Sequence, residues 1–239
     1  MLRYISRFGL RSGLGAARLH REAGALVRLQ LPGIDAPLWA RAGTSDVETF
    51  EEVFVERQYE IPFDRLAPRR VLDLGANVGY ASVYFASRWG GAEILAVEPA
   101  AENMALLERN TRGWPRIARL QAAVWPRAAQ VSIANPHDAA NAFRMSEDGS
   151  GIEAVPGCTI GDLMSRQGWD DIDVLKMDVE GAEAEILRGD TRWLGRVGVF
   201  VVELHDRIVP GCAQALCAAL HGRRFQCEIV GSNLAIDLR

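Results

Sequence analysis

From Arg70 onward the chain alternates short apolar runs with stretches of helical spacing, and this alternation constrains the fold more than any other feature. "RVLDLG", "EILAVEP", "IARLQAAVW", "IDVLKMDVEG" and "VGVFVVELH" each read as a strand. Between and after them come "YASVYFASRW", "AENMALLERNTR", "TIGDLMSRQG", "AEAEILRG" and "CAQALCAALHGR", which read as helices, with Thr159 as a cap and Gly90-Gly91 and Gly189 as stops. Apolar strands separated by helices of roughly a dozen residues predict a parallel sheet covered on both faces. "QVSIANP" reads as an antiparallel strand following the third, and "RFQCEIVG" with "NLAIDLR" as a closing hairpin. The expected class is α/β: a doubly wound, mostly parallel sheet with a C-terminal antiparallel hairpin. A helix-and-hairpin extension over 1–66 precedes a main domain over 67–239, with Pro62 and Pro68 marking the junction.

In the extension, Arg3, Arg7, Arg11, Arg18, Arg21 and Arg28 stand against one acid, Glu22. Leu2, Ile5, Leu10, Leu14 and Ala17 would share one face of a helix, which suits docking on the chain's own core or weak contact with a membrane surface. "ALVRLQLPG" and "APLWARAG" read as two strands around a Pro-Gly turn. "TSDVETFEEVFVERQY" reads as a helix opened by three N-cap residue types, Thr44, Ser45 and Asp46. No apolar run is long enough to span a bilayer, and no signal-peptide cleavage pattern is present. Cys158, Cys212, Cys217 and Cys227 lie scattered, without the spacing of a zinc site or disulfide framework, so a cytoplasmic protein with reduced thiols is expected. The net charge of −4 favours no nucleic-acid partner. With 239 residues, about half apolar, the chain has material for a substantial core.

The ligand site of such a sheet lies beyond the carboxyl ends of its strands, beside the first. There the chain reads "VLDLGANVGYASVYFA", strand to glycine turn to helix. Gly75 allows the turn, Asn77 tolerates left-handed torsions, and Gly79 lets the helix begin close by. This is not the G-x-G-x-x-G of a dinucleotide clamp. Asp73, two residues before the first glycine, would repel a pyrophosphate and welcome a cationic amino-acid end. Glu98, closing the second strand in "AVEP", stands where an acid accepts both ribose hydroxyls. Acid, glycine turn and second acid together fit S-adenosylmethionine better than NAD.

A second constellation, "DVLKMDVEGAEAEILRG", places Lys176, Asp178 and Glu180 at the end of an otherwise buried strand, where uncompensated charge is costly. Asp178 and Glu180 are assigned to the site. Glu183 and Glu185, on the following helix, are assigned to capping and pairing.

The same residues carry a resemblance. "VLKMDVEGAEAEILRG" resembles the signature of FkbM-type methyltransferases, whose members carry K-x-D-V-E-G-x-E after the fourth strand. "VLDLGANVGYAS", "AVEPAAEN" and "LQAAVW" are similar to that family's first three motifs, and the likeness runs from about Trp39 to Arg239. The resemblance implies a class I, Rossmann-like methyltransferase that uses S-adenosylmethionine, with activity on hydroxyls of sugars, glycans or natural products. It places Asp73, Gly75, Ala76, Asn77 and Gly79 around the methionine end, Glu98 and Pro99 at the ribose, and Ala122 and Ala123 beside the adenine. Thr44, Ser45 and Asp46 would close over the cofactor's carboxylate, and Asp178 would border both cofactor and acceptor.

For the chemistry, a hydroxyl needs a base as its bond to the methyl carbon forms. The candidates are Asp178, Glu180 and His205, the last expected near its ordinary pKa of about 6.5. Asp178, Glu180 and Glu203 are three acids that a divalent ion would need, but no metal is assigned. The rival readings are an NAD-dependent oxidoreductase, disfavoured by Asp73 and the missing G-x-G-x-x-G, and a non-catalytic interaction module. The polar stretch from Asn135 to Gly157 is expected near the site.

Overall fold

A computed structural model describes every residue except 22, 65, 136–143 and 148–150. The extension holds α1 (Leu2–Ala16), the antiparallel pair β1 (Leu26–Leu29) and β2 (Leu38–Arg41), and α2 (Asp46–Phe50). Then β3 (Arg70–Leu74), α3 (Tyr80–Arg88), β4 (Glu93–Glu98), α4 (Ala101–Thr111) and β5 (Ile117–Gln121) alternate. Four strands follow: β6 (Ala123–Val124), β7 (Ala129–Ile133), β8 (Met145–Ser146) and β9 (Ile152–Cys158). The chain resumes its alternation with α5 (Ile160–Gln167), β10 (Ile172–Met177), α6 (Glu183–Arg188), β11 (Val197–Glu203) and α7 (Cys212–Ala219), and ends in the hairpin β12 (Gln226–Val230) and β13 (Asn233–Asp237).

Seven strands form the central sheet in the order β12-β13-β11-β10-β3-β4-β5. The five from β11 to β5 are parallel, while β13 runs antiparallel between β11 and β12. The expected doubly wound sheet is present, and its final strand is inserted one place inside the edge. The strand order reverses at β3, so a crevice opens beyond the carboxyl ends of β3, β4 and β10.

Alternation within the strands sends side chains to two separate cores. Val71, Ile94, Val174 and Val199 face the N-terminal extension and α3, with Phe50, Tyr80 and Phe85. Leu72, Leu74, Leu95 and Phe200 face the other side, with Leu163, Trp169 and Trp193. Helix α5 begins at a capping box in which the Thr159 hydroxyl accepts from the Asp162 N–H at 3.0 Å and the Asp162 carboxylate accepts in return.

One sequence expectation changes and another is filled in. The helix near the N-terminus breaks at Gly9 (φ 77°), so its apolar residues do not share one face. Tyr4, Phe8, Ala16 and Leu19 are buried, Tyr4 and Phe8 against Phe50, while Leu2, Leu10 and Leu14 are exposed. The two halves meet backbone to backbone: a Cβ on Gly13 would lie 2.5 Å from Ile5 Cα. The antiparallel strand expected at 129–133 is present, and it lies outside the central sheet. It belongs to a second sheet of order β6-β9-β7-β8, because Val131 packs with Ala123 and Val155 in a small cluster of their own.

Candidate functional site

At the end of β3 the chain turns through Gly75 (φ 71°), Asn77 (φ 48°) and Gly79 (φ 86°) before α3. The N–H groups of Gly75 and Ala76 both donate to the Val97 carbonyl at 3.0 Å, which ties the turn to β4. Gly75 is needed for more than its torsion: a Cβ there would lie 1.8 Å from the Asp178 carbonyl oxygen. Gly79 lies close to α4 rather than to the strand, since its Cβ would meet Leu107 at 3.2 Å and Thr111 at 3.3 Å.

Glu98 is buried and held in place by three donors. Its Oε2 accepts from the Asn77 N–H at 2.9 Å, and Oε1 accepts from the Ala100 N–H at 3.1 Å and Asn103 Nδ2 at 3.2 Å. Burial outweighs these bonds and pushes its carboxyl up to about 7. Glu98 lines a cleft with Gly75, Ala76, Asn77, Pro99, Ala122 and Ala123. Asp178, Glu180 and Glu203 line it too, as do Thr49, Glu52, Tyr59 and Met145. Of the polar stretch expected nearby, Met145 therefore reaches the cleft, while 136–143 and 148–150 lie outside the described residues.

Asp73 and Ser45 are not where the sequence places them. Asp73 is fully buried beneath the turn; it accepts from Ser82 Oγ at 2.5 Å and faces Lys176 Nζ at 3.3 Å, and it does not line the cleft. The reason is register. Asp73 and Lys176 are direct partners across β3 and β10 on one face of the sheet, so each supplies the countercharge the other needs. Thr44 bonds the Arg41 carbonyl, and Asp46 is buried in an ion pair with Arg41 at 2.7 Å. Neither these residues nor Ser45 lines the cleft; Thr49, one helical turn later, does, and Asn77 Nδ2 lies 3.4 Å from its hydroxyl. Beyond α2 the helix widens to a single π turn over 51–55, where the Glu56 N–H donates to the Glu51 carbonyl; Glu52 within it reaches the cleft.

Asp178 is the meeting point of the second constellation. Its Oδ2 lies 3.4 Å from Lys176 Nζ and accepts from the Tyr59 hydroxyl at 3.3 Å, while His205 Nε2 stands 3.8 Å from Oδ1. His205 Nε2 also lies 3.5 Å from Glu180 Oε2, and its Nδ1 is 2.9 Å from Glu183 Oε1. Burial opposes a charged imidazole, but Glu183, Glu180 and Asp178 together push His205 up to about 9. The imidazole expected near its ordinary pKa is thus held above it, and it does not line the cleft. Burial and like charges push Glu180 up to about 8 and Glu52 up to about 7. Glu203 also rises, by burial and by Asp178.

Sequence reasoning missed Glu183 and Glu52. Glu183 does cap the turn before its helix, accepting from the Val179 and Gly181 N–H groups at 3.0 and 2.9 Å, but it also holds His205. Glu183 lies between buried Ala182 and Ala184, and an acid on a buried helix stretch was the signal for a further partner. Among the described residues, the ligand-type atoms lying within 4.8 Å of one another belong to Asp178, Glu203 and His205 rather than to three acids. Lys176 and protonated His205 already supply positive charge at that point.

The chain matches the methyltransferase FkbM domain over residues 73–225. It is 28% identical to the AMB antimetabolite synthetase AmbE of Pseudomonas aeruginosa across 82% of this chain, which spans only 12% of that protein's length. It is 26% identical to methyltransferase 1 of Beauveria bassiana, across 65% of this chain and 72% of the relative. Among solved structures, the methyltransferase FkbM of Methylobacillus flagellatus is similar in fold, with a TM-score of 0.50 and 15% identity over 70% of this chain and 43% of that one.

Proposed function

The chain belongs to the FkbM methyltransferase family, and we propose that it uses S-adenosylmethionine to methylate a hydroxyl on a sugar, glycan or natural-product acceptor. The single observation that carries this reading is the cleft at the strand-order reversal, lined by Glu98 at the end of β4 and by Asp178 just after β10. Its residues fit a cationic nucleoside. Glu98 would take the ribose hydroxyls, and the small side chains Ala122 and Ala123 would leave room for a flat base. Among the described residues, Glu52, Glu98, Asp178, Glu180 and Glu203 line the cleft with Lys176 as the one lining cation. Glu98 for a ribose, with neither an arginine nor a G-x-G-x-x-G turn for a diphosphate among the described lining residues, favours a sulfonium nucleoside over NAD.

The bound cofactor supplies an activated methyl group, so the chain's tasks are alignment and removal of one proton. Protonated His205 cannot accept that proton at neutral pH, and Glu180 near 8 is largely protonated as well. Asp178, reaching the cleft between Lys176 and His205, is the residue left to take it.

Calorimetry with S-adenosylhomocysteine tests the cofactor assignment directly. Measurable heat is expected with that ligand and none with NAD. Replacing Glu98→Gln should weaken binding by about tenfold, the loss of a charge-assisted hydrogen bond. Absence of heat with adenosylhomocysteine would overturn the assignment.

A further inference from the structure

Glu183 is a fully buried carboxylate that does not line the cleft. Four groups converge on it: the Val179 and Gly181 N–H groups, Cys212 Sγ at 3.6 Å, and His205 Nδ1 at 2.9 Å. The first two belong to the turn that also carries Asp178 and Glu180, with Glu180 itself at φ 52°. One buried side chain therefore joins the turn after β10 to the loop after β11. It also settles what His205 can do. With Nδ1–H donated to Glu183, only Nε2 is free to face the acids at the cleft, Asp178 at 3.8 Å and Glu180 at 3.5 Å.

We propose that Glu183 is a positioning residue: buried behind the cleft, it holds His205 by Nδ1 so that Nε2–H faces Asp178 and Glu180, placing a second cation beside the carboxylate that accepts the substrate's proton. The inference rests on the methyltransferase reading for its meaning in turnover, but the pairing itself is independent of that reading. Glu183 transfers nothing; it acts through His205. The arrangement is that of a metal-ligating or catalytic histidine held by a carboxylate on its other nitrogen, with the charge used here to balance acids. The groups facing His205 are Glu183 on α6, Asp178 and Glu180 on the turn, and Glu203 on β11, with Lys176 of β10 beyond Asp178.

The experiment is a nitrogen-15 NMR titration of the His205 ring in the full chain, with and without S-adenosylhomocysteine. The wild-type ring should stay protonated well above pH 7 and, once neutral, keep its proton on Nδ1, the less common tautomer. In Glu183→Gln the titration should move down by at least one pH unit. In Glu183→Ala the neutral ring should also move its proton to Nε2; if that variant does not fold, the Gln variant decides. Titration of His205 near 6.5 in the wild type, or an unchanged titration in Glu183→Gln, would overturn the proposal. So would broadening of the ring signals by micromolar Mn²⁺, because a metal ion would then hold Nε2. Loss of adenosylhomocysteine binding with the His205 titration intact would remove the methyltransferase reading and leave the pairing standing.

Discussion

Asp178, Glu180, Glu52 and Glu203 are the same functional group in one cleft, yet their neighbours separate them. Asp178 lies 3.4 Å from Lys176 Nζ and 3.8 Å from His205 Nε2. Glu180 has burial and the Asp178 charge working against ionisation, and only His205 in its favour. Burial and like charge favour the protonated form of Glu180, which leaves the proton-accepting role to another acid of the cleft. Asp178→Asn should therefore cut turnover by about 100-fold or more, the range of a lost general base, with adenosylhomocysteine affinity almost unchanged. Glu180→Gln, which resembles the protonated acid, should keep most activity. Turnover measured with a labelled methyl donor and a hydroxyl acceptor checks both, and a Glu180 variant more damaged than the Asp178 variant would reverse the assignment. At this scale, residues whose position is set by a strand end were legible in advance. Glu98 and Asp178 belong to that group. The pairing of Glu183 with His205, 22 positions apart on different elements, was not.

The elements were legible wherever a periodicity ran uninterrupted. All five parallel strands, the closing hairpin and the Thr159 cap follow from local pattern, because buried strands and capped helices carry their signals in adjacent residues. The N-terminal helix did not, since Gly9 resets the phase halfway and moves burial to Tyr4 and Phe8. Nor did β7, whose alternation says that one face is covered but not which sheet covers it. The turn after β3 shows how tightly two elements are joined. Gly75 contacts the Asp178 backbone so closely that any side chain must displace the Asp178 carbonyl, just after β10. Gly75→Ala should lose about 1–2 kcal/mol for the left-handed torsion and about 1–3 kcal/mol for overpacking. Denaturant unfolding would measure the loss, and adenosylhomocysteine binding should fall with it. A variant as stable as the parent would mean the two backbones are farther apart than described.

Taken over the whole molecule, the same charges set how stability responds to pH. Glu52 and Glu98 rise from 4.5 to about 7, Glu180 from 4.5 to about 8, and His205 from 6.5 to about 9. Each binds its proton more tightly folded than unfolded. Each therefore contributes stability that is full below its unfolded value and is lost as pH rises through its folded value. For the three acids that loss begins above about 4.5 and is complete beyond 7 to 8; for His205 it runs from about 6.5 to beyond 9. All four act in one direction, and the chain's net charge of −4 grows more negative over the same span. The ligand-free protein should therefore melt several degrees lower at pH 9 than at pH 6, at roughly 2–4 °C for each kcal/mol in a chain of this size. His205→Gln should flatten the upper part of the curve and Glu180→Gln the middle. S-adenosylmethionine, bringing positive charge to the acids, should raise the melting temperature more at pH 8 than at pH 6. Thermal scans at constant ionic strength would decide: a melting temperature that is level or rises between pH 6 and 9 would mean that the cleft's acids are not charge-frustrated without a ligand.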